Sequence, residues 1–355
     1  VNSRAKPPVP ADPVPQAASR TGRRIGHRIG RFLLLLLAGV LVLTLGTVVT
    51  GPAPGTAPVD TTEQARSQAR AELLDLAAGF EALAAGRSGQ VLMDTSVLLS
   101  RQAQLFALET QQPGTAPAAP SGQPARPPGG LGESVSRLAA ASRWMLGTAQ
   151  EVEPGLARLL ASAGAAGYAQ ARLLQRETGT PEDLPRPWQP APASWAASCS
   201  GPGGTRGAAE PSGGRPTTAD ALAAVVVSER KLAYAYEAAL PRLAGAAGQA
   251  ARKRYLQHRE LIERWEGIAA GLCVKVPPAE AAWQLPAGLS ATPGPVLADA
   301  EAAAAAAFAD LVAFSGGAVR AQASAGLLGA TLRIADTAGA VPAAPGIQVR
   351  GQALP

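Results

Sequence analysis

Three ionisable side chains stand where the helical pattern of this sequence calls for apolar ones. Glu229 falls on the stripe Leu222, Val226, Glu229, Ala233, Tyr236 and Leu240, whose steps of three and four residues trace one face of a helix. His258 lies on a second stripe (Arg254, His258, Leu261, Trp265, Ile268, Leu272), and Glu301 on a third (Leu297, Glu301, Ala304, Phe308, Leu311). An acid or imidazole on a buried face is costly unless a hydrogen bond, a counter-charge or a metal meets it. Carboxylates and imidazole converging between helices are the donors that metal centres in helical bundles use, so Glu229, His258 and Glu301 are the candidate ligands.

A di-iron centre of that kind needs a Glu from each of two helices and a Glu-x-x-His pair from each of the other two. Here Tyr255 stands three residues before His258, and Glu260 and Glu263 fall on other faces. The fourth stripe (Val319, Ala323, Leu327, Ala330, Ile334) brings no acid and no histidine, with Gln322 as its only nearby polar group. The expectation is therefore no resident metal and no other cofactor, with Glu229 and His258 paired to each other, to Tyr236 or to Tyr255. The alanines from Ala302 to Ala307 allow close helix approach and argue against a roomy cavity. Besides His258 the chain has only His27, no serine sits in a nucleophile elbow, and no phosphate-binding glycine loop follows a strand pattern. No catalytic residue is named, and the pattern argues against an enzyme.

These residues require long amphipathic helices to position them, and Pro and Gly mark where such helices end. Helices are expected over Thr62–Ala85, Gln90–Gln111, Gly132–Thr148 and Gly155–Glu177, with Ala69, Leu73, Leu76 and Phe80 on the buried face of the first and Val91, Val97 or Leu98, Leu105 and Leu108 on that of the second. A Pro-rich insert, 113–130, interrupts this helical region of 62–178. Either the region forms a bundle of its own or its helices pack on those of the C-terminal part. Residues 179–216 read as a strap carrying Trp188 and Trp195, then a linker. Residues 217–336 hold the four helices that carry the candidate site, opened by Thr217 or Thr218 as a cap with Asp220 in the first turn. Residues 337–355 read as a disordered tail.

The stretches ALAAVVVSERKLAYAYEAALPRL, HRELIERWEGIAAG, PPAEAAWQLP and VLADAEAAAAAAFADLV, within 217–336, resemble the ferritin-like domain of exported actinobacterial proteins of unknown function. That resemblance implies a ferritin-like four-helix bundle and an envelope location, and no established activity. The chain departs from it at Arg230, where relatives often carry a histidine after the first-helix Glu. Four lysines among 32 basic residues fit a GC-rich genome.

The formal net charge of +6 arises entirely within residues 1–31, where seven basic residues face the single acid Asp12. The remainder is neutral, which excludes the basic face of a nucleic-acid binder. Phe32 to Thr50 comes next, uncharged and able to rise ~28 Å as a helix, about the thickness of the hydrocarbon core. With the basic flank inside, 32–50 reads as a single-pass signal anchor in the cell membrane, 51–61 as a stalk, and the C-terminal bulk as extracytoplasmic. The fold class expected is all-α: a transmembrane helix, a helical region, then the ferritin-like bundle. On the exported side the two cysteines, Cys199 and Cys273, have one possible intramolecular pairing and are expected to form a disulfide. A structural or interaction role in the envelope, with a protein partner there, is the function expected. The alternatives are a divergent metal-binding oxidoreductase or metal store, and a binder of a small apolar ligand.

Overall fold

The computed structural model describes residues 61–86, 89–107, 130–179, 183–195 and 216–347, and the helix signals that fall within them become helices, the second ending at Leu105 rather than Gln111. Among these residues the regular structure is all helical, with no strand: α1 (Thr61–Gly86), α2 (Gln90–Leu105), α3 (Leu131–Thr148), α4 (Pro154–Thr178), α5 (Thr218–Ala239), a 3-10 turn (Leu240–Arg242), α6 (Gly245–Gly271), α7 (Pro293–Phe314) and α8 (Gly317–Ala338). None of these helices is long and apolar enough to cross a membrane. The Phe32–Thr50 segment, its basic flank and the stalk to residue 60 lie outside the described residues.

Local chemistry sets the helix starts. Thr217 caps α5: its hydroxyl accepts from the Asp220 amide at 3.2 Å while the Asp220 carboxylate takes the Thr217 amide at 2.9 Å. This reciprocal pair satisfies two amides that have no partner within the helix. Glu153 caps α4 in a similar way, with Pro154 at the first helical position, where its missing N–H is no loss.

The architecture is organised on α4. Its buried residues run from Leu156 to Leu174 on every side of the helix, and most are Ala or Gly. A helix that is small and apolar all round belongs in an interior. It packs against α3 and α2 on one side and against α7 and α8 on the other. At Gly164 an added Cβ would lie 2.7 Å from the Ser142 carbonyl oxygen, so α3 can approach only because no side chain is there. One core consequently runs from Ala65 to Ile334, and the helices before and after the strap bury their faces in the same interior. On α1 the residues expected on the buried face are buried; on α2 Leu98 turns inward while Val97 is exposed.

Side-chain bonds reinforce this junction. Arg158 donates to the Gly346 carbonyl at 2.8 Å and pairs with Asp310 at 2.8 Å, and Arg320 donates to the Val152 carbonyl at 2.8 Å. Ser162 and Gln102 donate to the carbonyls of Pro345 (2.8 Å) and Ala343 (3.0 Å). Residues 339–347, which the sequence suggests as part of a loose tail, are thus held against the body, with Ala344 buried. Residues 348–355 lie outside the described residues.

Residues 183–195 form no helix and run over α3, α4 and the end of α6. Tyr168 donates its hydroxyl to the Pro185 carbonyl at 2.7 Å, Arg143 donates to that of Arg186 at 2.8 Å, and Leu184, Trp188 and Trp195 pack on the core. At Gly271 an added Cβ would overlap the Trp195 carbonyl oxygen, so the segment crosses α6 where that helix has no side chain.

Candidate functional site

The stripes on α5, α6 and α7 face a common interior point. Glu229, His258 and Glu301 are each 0% exposed. α6 is the outermost of these helices, and His258 is one of only five residues it buries, with Ala251, Trp265, Ile268 and Ala269. The fourth helix, α8, contributes Arg333, buried beside Ala330 and Ile334.

These four side chains close a ring of alternating charge with one member from each helix. His258 Nδ1 lies 2.6 Å from Glu229 Oε2, and Nε2 lies 3.0 Å from Glu301 Oε1. Both ring nitrogens face carboxylate oxygens, and only an imidazolium donates from both. Arg333 Nε donates to Glu301 Oε2 at 2.8 Å, and Arg333 Nη2 stands 3.8 Å from Glu229 Oε1. Neither of those last two atoms has a hydrogen-bond partner, so the ring closes there through charge alone. Tyr236, two turns beyond Glu229 on α5, donates to Glu301 Oε1 at 3.1 Å and stacks its ring on His258 with centroids 5.2 Å apart.

The electrostatics arise from this geometry. Burial disfavours a charged His258, yet its hydrogen bonds to Glu229 and Glu301 hold its pKa above the ordinary 6.5. Burial also pushes the Glu301 carboxyl up, but the Arg333 charge and the His258 hydrogen bond outweigh it and bring it down to about 2. Arg333 is raised: burial opposes its charge, and the two carboxylates more than offset that. Tyr236 is raised by burial and by the neighbouring Glu301 charge, which keeps the phenol a donor.

A pH profile of stability checks this reading, and its sign differs on the two sides. Glu301 is depressed from 4.5, so its stabilisation is complete above that value and is lost as pH falls from about 4.5 towards 2. His258 is raised from 6.5, so its stabilisation is complete below 6.5 and is lost as pH rises through its higher folded value. Urea midpoints are expected to be flat between these limits and to fall on either side. In His258→Gln the alkaline fall should disappear; an unchanged alkaline limb would remove His258 from the charged ring.

Of the possible partners for Glu229 and His258, the structure pairs them with each other and brings Tyr236 to Glu301. Tyr255 takes no part: its hydroxyl accepts from Arg259 at 3.1 Å at the surface. Gln322 is also outside the ring, being half-buried elsewhere on α8. Arg333 is the member that stripe reading missed. It lies three residues after Ala330, as helical a step as the four to Ile334, and two inward acids with one histidine called for a further cation.

These residues do not fit a di-iron centre. In place of a fourth-helix acid or histidine stands a guanidinium, which repels a metal cation, and the oxygens facing the interior already serve cations of the chain. Among the described residues no three His, Cys, Asp or Glu side chains are arranged to hold a metal ion.

Residues 221–349 match a family model described as "Domain of unknown function (DUF4439)". The match takes in α5 from its first turn through α8 and the bound segment after it, so all four ring residues fall inside it. No curated protein and no solved structure matches the chain.

Proposed function

We propose that this chain is a membrane-anchored, extracytoplasmic helical protein whose ferritin-like domain serves a structural or interaction role in the cell envelope. The observation that carries the reading is the self-contained ring. Glu229, His258, Glu301 and Arg333 balance one another in charge and are buried, so the ring spends its acids and its imidazole on one another. A polar network of this kind fixes which helices meet and in what register, the best-attested use of buried ionic groups. The anchor rests on the basic flank and uncharged run of residues 1–50, and the envelope partner on the exported position that this anchor implies.

The two alternatives fare less well. A metal oxidoreductase or store would need donors where Arg333 stands. A small apolar ligand would need a greasy cavity. Among the described residues, one cavity of about 510 Å³ between α2, α4 and residues 339–343 sets Asp94, Arg101 and Glu177 beside Val91, Leu98 and Leu173.

The test has two arms. A reporter fused after Pro58 is expected to be active only when it functions outside the cytoplasm, and activity of a cytoplasm-only reporter there would overturn the topology. Purified full chain is expected to keep its melting temperature in chelator. Stoichiometric iron or manganese in the preparation, with a melting temperature lowered by chelator, would return the metal reading.

A further inference from the structure

We infer that the trough between α2, α4 and residues 339–343 binds a short extended peptide with free ends, its ammonium at Asp94 and Glu177 and its carboxylate at Arg101. The trough holds about 510 Å³, within the range of small-ligand sites. Its three walls run alongside one another. Thr95 of α2 lies beside Gln170 of α4, and seven residues on, Gln102 shares the segment 343–345 with Ser162, so the two helices are antiparallel. Arg176 pairs with Asp336, which puts the end of α8 beside the end of α4. Residues 339–343 therefore pass from the end of α4 towards the Arg101 end of the trough.

Charge is divided along this line. Asp94 and Glu177 line the trough where α2 begins and α4 stops, while Arg101 lines it seven residues after Asp94, two turns or ~10 Å along the helix. All three are exposed at the rim. Asp94 accepts from Gln90 at 2.8 Å, and Arg101 and Glu177 form no ion pair among the described residues. The floor is apolar, with Leu98 and Leu173 buried, except at Gln170, which is 4% exposed. The Thr95 hydroxyl donates to the Val91 carbonyl at 2.6 Å and so accepts from the Gln170 amide nitrogen at 2.8 Å. That fixes the orientation of the Gln170 amide and leaves its oxygen, to which no described group donates, as an acceptor in the floor.

A ligand serving both ends must separate its charges by ~10 Å. A free amino acid carries them on one carbon and is too short, whereas three extended residues at ~3.3 Å each span the distance. Their amides would meet the Gln170 oxygen and the backbone of Ala340 and Val341, which bonds no described group. Main-chain pairing to an extended segment is a common way to hold a peptide, and an apolar middle side chain would rest on Leu98 and Leu173.

The experiment titrates purified full chain with alanyl-leucyl-alanine in a calorimeter. Saturable binding of one peptide per chain is expected, weakened about tenfold or more by N-acetylation or by C-amidation, with no binding of alanine at the same concentrations. Arg101→Gln should weaken the free tripeptide by a similar factor and leave the C-amidated one unchanged. Asp94→Asn with Glu177→Gln should do the same for the free and N-acetylated pair. These side chains stand at the surface, so both variants should melt with wild type. Absence of saturable binding, equal affinity for capped and free peptides, or an Arg101→Gln variant that weakens both alike would overturn the inference. Neither the membrane anchor nor the charged ring enters it, so its failure leaves the proposed function standing.

Discussion

Replacing Arg333 with methionine is expected to lower the unfolding free energy by about 3–5 kcal/mol, read from urea unfolding of the full chain. The magnitude comes from what stays behind rather than from the bond lost. Glu229 and Glu301 remain sealed between the helices with only His258 to balance them, so one negative charge is left buried without a counter-ion. The deficit should shrink as pH is lowered, because an uncompensated buried carboxyl takes up a proton more readily than an exposed one. The decisive comparison is the double variant Arg333→Met with Glu301→Gln. It removes one charge of each sign and leaves the Glu229–His258 pair neutral. It is expected to be more stable than Arg333→Met alone, with a coupling of about 1–3 kcal/mol. Additive losses would mean that Arg333 contributes through packing, and the alternating ring would not be the unit that holds the helices.

The same residues show what can be read from the sequence and what cannot. Stripes of three- and four-residue steps identify the helices, because on α1 and α6 the apolar positions alternate with plainly polar ones. They also bring Glu229, His258 and Glu301 to one interior point, since a charged side chain on an apolar stripe has nowhere else to go. Arg333 escapes because a long cationic side chain beside Ile334 is normally written off as a stem reaching for water. On α8, with Ala330 and Gly329 on the adjoining turn, it reaches inward instead. The relation between the two halves of the chain is hidden for a different reason. α4 is buried on every side and built largely from Ala and Gly, whose periodicity says little about which neighbour each side meets. Likewise residues 339–347 have no helical or strand period; Val341 and Ala343 pack on the core, and the carbonyl oxygens of Gly346, Pro345 and Ala343 accept from Arg158, Ser162 and Gln102. Hydrogen bonds to a backbone leave no mark in the sequence of the segment that accepts them.

Breaking the expected link between Cys199 and Cys273 should have the other large effect, a loss of about 4 kcal/mol on reduction or on substitution of either cysteine by serine. Cys199 lies outside the described residues, but the chain on both sides of the link is visible. Trp195 rests on α6 at Gly271, and Cys273 comes two residues later at the end of that helix. Four residues of extended chain reach at most about 14 Å, ample for Cys199 to come back to Cys273 from Trp195. Cys273 also holds the left-handed position after the helix, with φ 58°, its amide bonded to the Ala270 carbonyl and that of Val274 to the Ala269 carbonyl. Helices that end in a left-handed residue usually place glycine there, so a cysteine at that position needs a compensating reason, and a covalent tie to the strap supplies one. The stabilisation arises mainly in the unfolded chain, where a closed loop of this length removes conformations that the folded state never uses. Cys199→Ser, Cys273→Ser and the double variant are therefore expected to lose the same stability, since any one of them opens the loop. Mass spectrometry of unreduced protein exported by its own host should show the two peptides joined. Two freely alkylated thiols there, or serine variants whose losses simply add, would show instead that the cysteines are separate small apolar residues and that the strap is held by Trp188, Trp195 and its backbone bonds alone.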